Sequence, residues 1–334
     1  MAVDVSKYAS ELNAVVRMDK AQIWNKIFQN SVSTSHCRTV SGIKVGQTHV
    51  DHFADVDEVV QGFQEGFTGK GTVRFEPSPT VQRGHKIDFD FNPYKFVNSW
   101  QGDLTVLGRD PKSWPLSRYV IYEILLPAIL RDRENKQFYK GKYVAPVAGT
   151  PTTAAAAVDG IGQRLIEGAA TGLSAGVNGI SGIGPLAAGT VYDQLNTAAA
   201  QLPTEYRFST PLKLYLSEDH LNDYYTGREE AIGTHVNTDD KNRNKLVNTM
   251  IELAGLPSMN GSNRFFITTP KNLVRTIDGP DPKALPMIVE LAKRVISVYG
   301  DWAEAYGFGS KELVWANYIG AAQNGTDDET EVFA

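Results

Sequence analysis

Residues 68–96, TGKGTVRFEPSPTVQRGHKIDFDFNPYKF, alternate apolar and charged side chains over most of their length. Val73 and Phe75, then Ile87, Phe89 and Phe91, fall on one side, with Arg74, Glu76, Lys86, Asp88 and Asp90 between them. A period of two marks a strand with one covered face, and Pro77-Ser78-Pro79 with Gly84 interrupts it. The stretch, taken to residue 97, is therefore expected to be one long two-stranded hairpin. Two strands alone are marginal in water because their apolar side has no cover. The remaining sequence offers no obvious sheet for them, so the expected cover is another chain. On this reading Val73, Phe75, Ile87, Phe89 and Phe91 lie over a neighbouring subunit. Lys70, Arg74, Arg83 and Lys86 then pair with that neighbour's acids at the rim.

Upstream, residues 1–35 read as an arm with one helix, capped by Asp19 and carrying Ile23, Trp24, Ile27 and Phe28 at helical spacing. Residues 43–67 read as short strand-like pieces. Downstream, Ser113 and Pro115 open the strongest helix of the chain. Leu116, Val120, Ile124 and Ala128 form its apolar stripe. Residues 115–136 would make a rod about 33 Å long, kinked at Pro127, which has no N–H to give.

Residues 146–205 are rich in Ala, Gly, Thr and Pro, with a short helix expected over 158–168. The stretch 168–192 has no charge but seven glycines, which fits packed small-residue structure better than a membrane span. LKLYL (212–216) is an expected strand, after which Ser217 caps a short helix that Gly227 stops. Residues 239–254 read as an amphipathic helix ended by Gly255, and RFFITT (264–269) as a strand. Residues 284–306 fit a helix and a strand equally well. ELVWANYI (312–319) is an expected strand, and Asp327, Asp328, Glu329 and Glu331 make an acidic tail.

The composition, 42% apolar and 21% charged over 334 residues, is that of a globular chain. A net charge of −5 argues against a protein built to clamp nucleic acid with a basic face. The single cysteine, Cys37, excludes an internal disulfide and cysteine-rich zinc sites. The first residues lack a basic stretch followed by an apolar one, so no secretory signal is expected. Gly66-Phe67-Thr68-Gly69-Lys70 falls short of a phosphate loop. Gly182-Ile183-Gly184-Pro185-Leu186-Ala187 fits the loose dinucleotide pattern but lacks a preceding buried strand. His49-Val50-Asp51-His52, His36 beside Cys37, and Asp219-His220 are explained by a strand edge, an extended segment and a helix start. No G-x-S-x-G elbow exists. No catalytic, cofactor or metal site is expected.

What remains is architectural: an arm, an uncovered hairpin, a rod helix and a separate α/β module. In that element order the sequence resembles the major capsid proteins of tailed bacteriophages of the Hong Kong ninety-seven type. Its flavour is that of phages of Bacteroidetes, the crAss-like group and its relatives. The resemblance is carried by GIKVGQTHVDHFADVDEVVQGFQEGF (42–67), GKGTVRFEPSPTVQRGHKIDF (69–89) and PLSRYVIYEILLPAILRDRENKQFYKGKYVAP (115–146). LKLYLSEDHLNDYY (212–225), NRFFITTPKNLVRTID (263–278) and VYGDWAEAYGFGSKELVWANYI (298–319) continue it.

The resemblance implies an α+β fold with an N-terminal arm (1–50), an extended β-hairpin loop (51–97), a peripheral domain with a spine helix (98–145), an axial domain (146–290) and return strands with the tail (291–334). It favours strands over helix for 293–307. It further implies a virion protein assembled in the host cytoplasm into hexamers and pentamers. Such a shell encloses double-stranded DNA held by weak contacts and meets a portal, with scaffolding or decoration proteins as further partners. The chain enters the arm almost directly from Met1, so any scaffold is expected to be separate or absent. A compartment shell of the encapsulin type shares the implied fold, and a soluble dinucleotide-dependent enzyme is the remaining alternative.

Overall fold

The structure, a computed structural model, describes residues 5–317 apart from 57, 171–176, 181, 210, 234–243 and 282. The expected acidic tail therefore lies outside the described residues. One sheet is organised by its longest strand, β11 (Val295–Phe308). Along one edge, β4 (Arg83–Phe91) runs antiparallel to it, from Phe91 opposite Ile296 to Arg83 opposite Glu304. Along the other edge, β10 (Ile288–Ala292) and β9 (Leu273–Ile277) pair end to end with its two halves. β1 (Arg38–Ser41) adds parallel to β9. The segment left open between helix and strand is thus a strand hairpin. Its turn puts Lys293 at φ 58°, and β-branched residues alternate into the core at Ile296 and Val298.

The stretch 68–97 is not one hairpin. β3 (Val73–Val81) pairs antiparallel with β2 (Thr48–Val56), and only Gln82 separates β3 from β4. Gln82 turns no corner: its N–H donates to Gln47 O at 2.9 Å, and its carbonyl accepts from Gly46 N at 3.0 Å. The reversal needs residues free to take positive φ, and these lie upstream, at Gly66 (φ 101°) and Gly71 (φ 94°). Residues 73–91 are therefore one extended ribbon shared between two sheets.

Two helices, not one, begin the described chain: α1 (Val5–Met18) and α2 (Lys20–Ile27). They lay Leu12, Val16, Ile23 and Ile27 into a core shared with β4, β10 and β11. Asp19 lies between them and caps neither with its side chain; its carboxylate accepts from Arg118 Nε and Nη2 at 3.0 Å each. α3 (Pro93–Leu107) escaped the periodicity reading. Asn92 caps it by accepting from Tyr94 N–H, Pro93 opens it, and Gly108 (φ 61°) closes it.

The long helix is present over 116–137 (α4), alternating α-turns with π-turns over 120–125 and 133–137. The wider turn resolves the Pro127 problem. Leu126 N–H bonds Ile121 O, five residues back, so the ladder has left the four-residue register before the proline's missing N–H arrives.

A second sheet has the order β5 (Asn178–Gly179), β12 (Val314–Ala316), β8 (Phe266–Thr268), β6 (Lys213–Ser217), β7 (Glu252–Leu256). Around it stand α5 (Ile161–Ala170), α6 (Val191–Gln201), α7 (Thr204–Ser209) and α8 (Glu218–Ile232). Ser217 caps α8 as expected, but Gly227 does not end it; Gly233 (φ 72°) does. Gly227 instead permits close helix packing, since a Cβ there would stand 2.9 Å from Tyr192 Cβ. The helix expected over 239–254 is overturned where it is described. Asn248 sits at φ 56°, and the chain enters β7 at Glu252. Between 177 and 190, residue 181 apart, the uncharged stretch forms β5 and turns, and among the described residues no helix is long and apolar enough to cross a membrane.

Candidate functional site

The β2–β3 hairpin is pinned at its base and open at its tip. At the base, Ser78 Oγ–H donates to Phe308 O at 2.5 Å, and Gln82 Nε2 donates to Thr276 O at 3.4 Å. Arg38 Nη2 pairs with Asp51 Oδ1 at 2.7 Å, and Asp51 Oδ2 also meets His49 Nε2 at 3.2 Å. Towards the tip the polar groups turn inward on the loop itself. Lys70 Nζ reaches Glu58 Oε2 at 3.0 Å and Val60 O at 2.9 Å, and Gln61 Nε2 donates to Thr68 O at 2.8 Å. The apolar groups are left outside: Phe63 is 99% exposed, Phe67 100%, Val60 79% and Phe75 67%. Large apolar side chains left exposed together on one hairpin mark a candidate contact site.

The predicted contact residues divide between two fates. Val73 and Phe75 are exposed on β3, and the side chain of Arg74 lies outside the described residues. Ile87, Phe89 and Phe91 are covered by their own chain, which corrects the expectation that they lack intramolecular cover. Phe91 is buried, Phe89 stacks on it at 5.6 Å, and Phe96 meets it edge-on at 5.7 Å. β11 gives β4 a sheet that the sequence did not announce, and the apolar side chains of the helices in the same core cover that side of it. The cations also find partners at home: Lys86 pairs with Asp88 at 2.6 Å, and the Arg83 guanidinium lies 3.7 Å from the centre of the Tyr143 ring. Phe63 and Phe67 were missed because they sit in a glycine-studded loop with no periodicity.

Beneath the hairpin lies a buried charge cluster. Glu304 Oε1 accepts from Arg275 Nε at 2.7 Å and from Tyr306 O–H at 2.7 Å. Its Oε2 accepts from Arg133 Nη2 at 2.9 Å. Burial pushes the carboxyl up, but the Arg133 and Arg275 guanidinium groups outweigh it and hold Glu304 well below the usual carboxylate range. The same arginines clamp the chain leaving α2. Arg133 Nη2 donates to Ile27 O at 2.6 Å, and Arg275 Nη1 donates to Asn30 Oδ1 at 2.7 Å. Such an arrangement fixes geometry and offers no reactive group. Sequence gave no hint of it, since its members lie far apart along the chain.

The other sequence candidates do not converge. Burial pushes the Cys37 thiol up to about 12, and His36 packs edge-on against Tyr215. Gly182–Ala187 follows only the two-residue β5 and runs through turns before α6 starts at Val191, so the dinucleotide pattern lacks its strand–turn–helix setting. Among the described residues, no group of three or more His, Cys, Asp or Glu is placed to hold a metal.

No family model matches the sequence, and no curated protein matches it. The fold does have relatives. A chain of the satellite phage P4 procapsid with its size-determination protein superposes with TM-score 0.50 at 11% identity, over 89% of this chain and 98% of that one. A chain from the capsid of a native GTA particle superposes with TM-score 0.50 at 8% identity, over 88% and 92%. The fold is thus the α+β fold of Hong Kong ninety-seven-type phage capsid proteins.

Proposed function

We propose that this chain is the major shell subunit of a tailed-phage-type virion, building hexamers and pentamers that close around double-stranded DNA. The observation that carries the reading is the projecting hairpin. Its base is bonded into the fold, while Phe63, Phe67 and Phe75 have no cover within the described chain. A hairpin offered by each subunit to the next is a heterologous contact, which closes rings. On this reading 1–50 supplies the arm, 51–97 the extended loop, 98–145 the peripheral part with its spine helix, 146–290 the axial part and 291–334 the returning strands. The chain makes a shell of crAss-like flavour, formed in the host cytoplasm, with a portal at one vertex and scaffolding or decoration proteins as further partners. Weak DNA cohesion fits the net charge of −5.

Negative-stain microscopy of the expressed chain tests this directly. Closed shells, rings or sheets are expected, and they should persist in moderate salt because apolar burial is not screened. A featureless monomer at every concentration would sink the reading. The cellular compartment shell remains the second reading, favoured by the same hairpin; particles that load protein and no DNA in the producing cell would select it.

A further inference from the structure

The N-terminal helices lie on the apolar side of the first sheet and are tied down by charged groups where the chain leaves them. α1 packs on β10 and on the first turn of α4, and α2 lies along α4. Asn13 Nδ2 donates to Val289 O at 3.4 Å, and Leu12, Val16 and Ile23 fill the core beneath. The linker from α2 to β1 adds almost nothing apolar: between Phe28 and Cys37 the single aliphatic side chain, Val32, is 58% exposed. What holds the linker is polar. Arg133 donates from Nη2 to Ile27 O at 2.6 Å and from Nη1 to Gln29 O at 3.1 Å. Arg275 Nη1 donates to Phe28 O at 3.1 Å and to Asn30 Oδ1 at 2.7 Å. These carbonyls end α2, where cations are favoured. Glu134 grips the other end of the linker. Its carboxylate accepts from Ser33 N–H at 3.1 and 3.2 Å and from Ser33 Oγ–H, and Ser33 Oγ also meets Ser258 Oγ at 2.7 Å.

Arg133 and Glu134 are neighbours on α4, and both are buried. Arg133 belongs to a buried stripe with a spacing of four: Ser117, Ile121, Leu125, Ile129, Arg133 and Gln137. A regular α-helix turns about 100° per residue, so such a stripe drifts about 40° per step and would end about 200° from its start. The π-turns over 120–125 and 133–137 turn less per residue and oppose that drift. Arg133 therefore still faces Glu304, which holds it together with Arg275.

We propose that Arg133, Arg275 and Glu134 form a polar latch on a lid made of α1 and α2, which opens as one unit when the latch lets go. α2 cannot lift while its last carbonyls stay bonded to two arginines anchored on Glu304. Opening uncovers Val289, Ile296 and Val298 and leaves β6, β8 and β12, which make none of these bonds, undisturbed. The inference does not depend on the shell reading.

Hydrogen exchange of the full chain, read by mass spectrometry, tests it. N30A/S33A removes the bond to Arg275 and the Ser33 hydroxyl bonds while keeping every apolar contact of α1 and α2. Amides of both helices should exchange about tenfold faster, with β6 and β8 at parental rates. E134Q, which weakens the grip on Ser33 without changing its shape, should move the same helices in the same direction. N30D, which keeps an oxygen before Arg275, should match the parent. Parental rates for α1 and α2 in both N30A/S33A and E134Q would overturn the proposal, as would N30D exchanging as fast as N30A/S33A. Equal acceleration of β6 and β8 would overturn it too, since the helices would then open only with the whole fold.

Discussion

β3 and β4 are nine residues each, both alternate apolar and charged side chains, and one residue separates them, yet they meet opposite environments. β4 is paired along its length with β11 and turns its apolar side into the helical core, where Phe91 is 6% exposed. β3 pairs in a ladder with β2 alone; its Ser78 end is bonded to Phe308 O, while Phe75 towards the tip is 67% exposed. Alternation therefore tells that a strand has two faces and says nothing of what covers the apolar one. The strand that pairs with β4 lies two hundred residues away in sequence, whereas Val73 and Phe75 at the tip end of β3 stay mostly exposed among the described residues. Each experiment below perturbs one side of this contrast, ordered by expected cost to the folded monomer.

The largest effect should come at the junction. Glu304 stands opposite Arg83, the first residue of β4, and balances two buried guanidinium groups. Glu304→Gln keeps the shape and removes the charge, leaving Arg133 and Arg275 without an anion. Breaking a buried ion pair in this way costs about 3–5 kcal/mol. Chemical denaturation should show that loss, and hydrogen exchange should rise in β4 more than in β3. A variant as stable as the parent would mean that the cluster does not anchor β4.

Next is Phe91→Ala. Removing a buried ring that packs on Phe89 and Phe96 should cost about 3 kcal/mol, near the low end for such truncations. Phe75→Ala, on the same ribbon, should leave the melting temperature where it was. Equal losses for the two variants would erase the contrast between the strands.

Much of the frame was legible. The strand at 212–216, the Ser217 cap and the long helix at 116–137 follow from caps and periods that act over a few residues. The pairing of the 68–97 stretch was not legible, because register depends on which remote strand supplies the ladder. Gly227 misled for a related reason: it reads as a stop locally, while its role is set by Tyr192 on another helix. With the pairing, three of the five apolar residues expected on a neighbour, Ile87, Phe89 and Phe91, turn out to pack against their own chain. Phe63 and Phe67 were invisible to periodicity, since a loop has no period to read.

Acid should weaken the covered side by a smaller, graded amount. His85 lies on β4, stacked on Trp302 at 5.6 Å, with Nδ1 3.3 Å from Arg83 O. Burial lowers its pKa; Glu304 opposes that shift, while Arg133 and Arg275 add to it. Below the usual value of 6.5, the unfolded chain then binds a proton that the folded chain does not. Stability should therefore fall as pH drops below 6.5 towards the folded value, by at most about 1.4 kcal/mol per pH unit. Urea midpoints between pH 7 and 5 would show the slope, and His85→Phe should flatten it. An unchanged slope in that variant would place the titration elsewhere.

The smallest cost to the monomer, and the largest to assembly, should follow Phe63→Ser with Phe67→Ser. Both rings are fully exposed in the isolated chain, so their removal disturbs no packing and should move folding stability by less than about 0.5 kcal/mol. The polar bonds that shape the tip, from Lys70 to Glu58 and from Gln61 to Thr68, remain. If the rings fill sites on a neighbouring subunit, each is the kind of aromatic anchor whose truncation costs about 2 kcal/mol or more per contact. A ring of subunits repeats that loss at every interface. Sedimentation beside thermal melting separates the outcomes. A monomer with parental melting supports the open side of the contrast. A variant that assembles as the parent does would remove the tip from the contact. One that melts as low as Phe91→Ala would show that the tip is covered by its own chain.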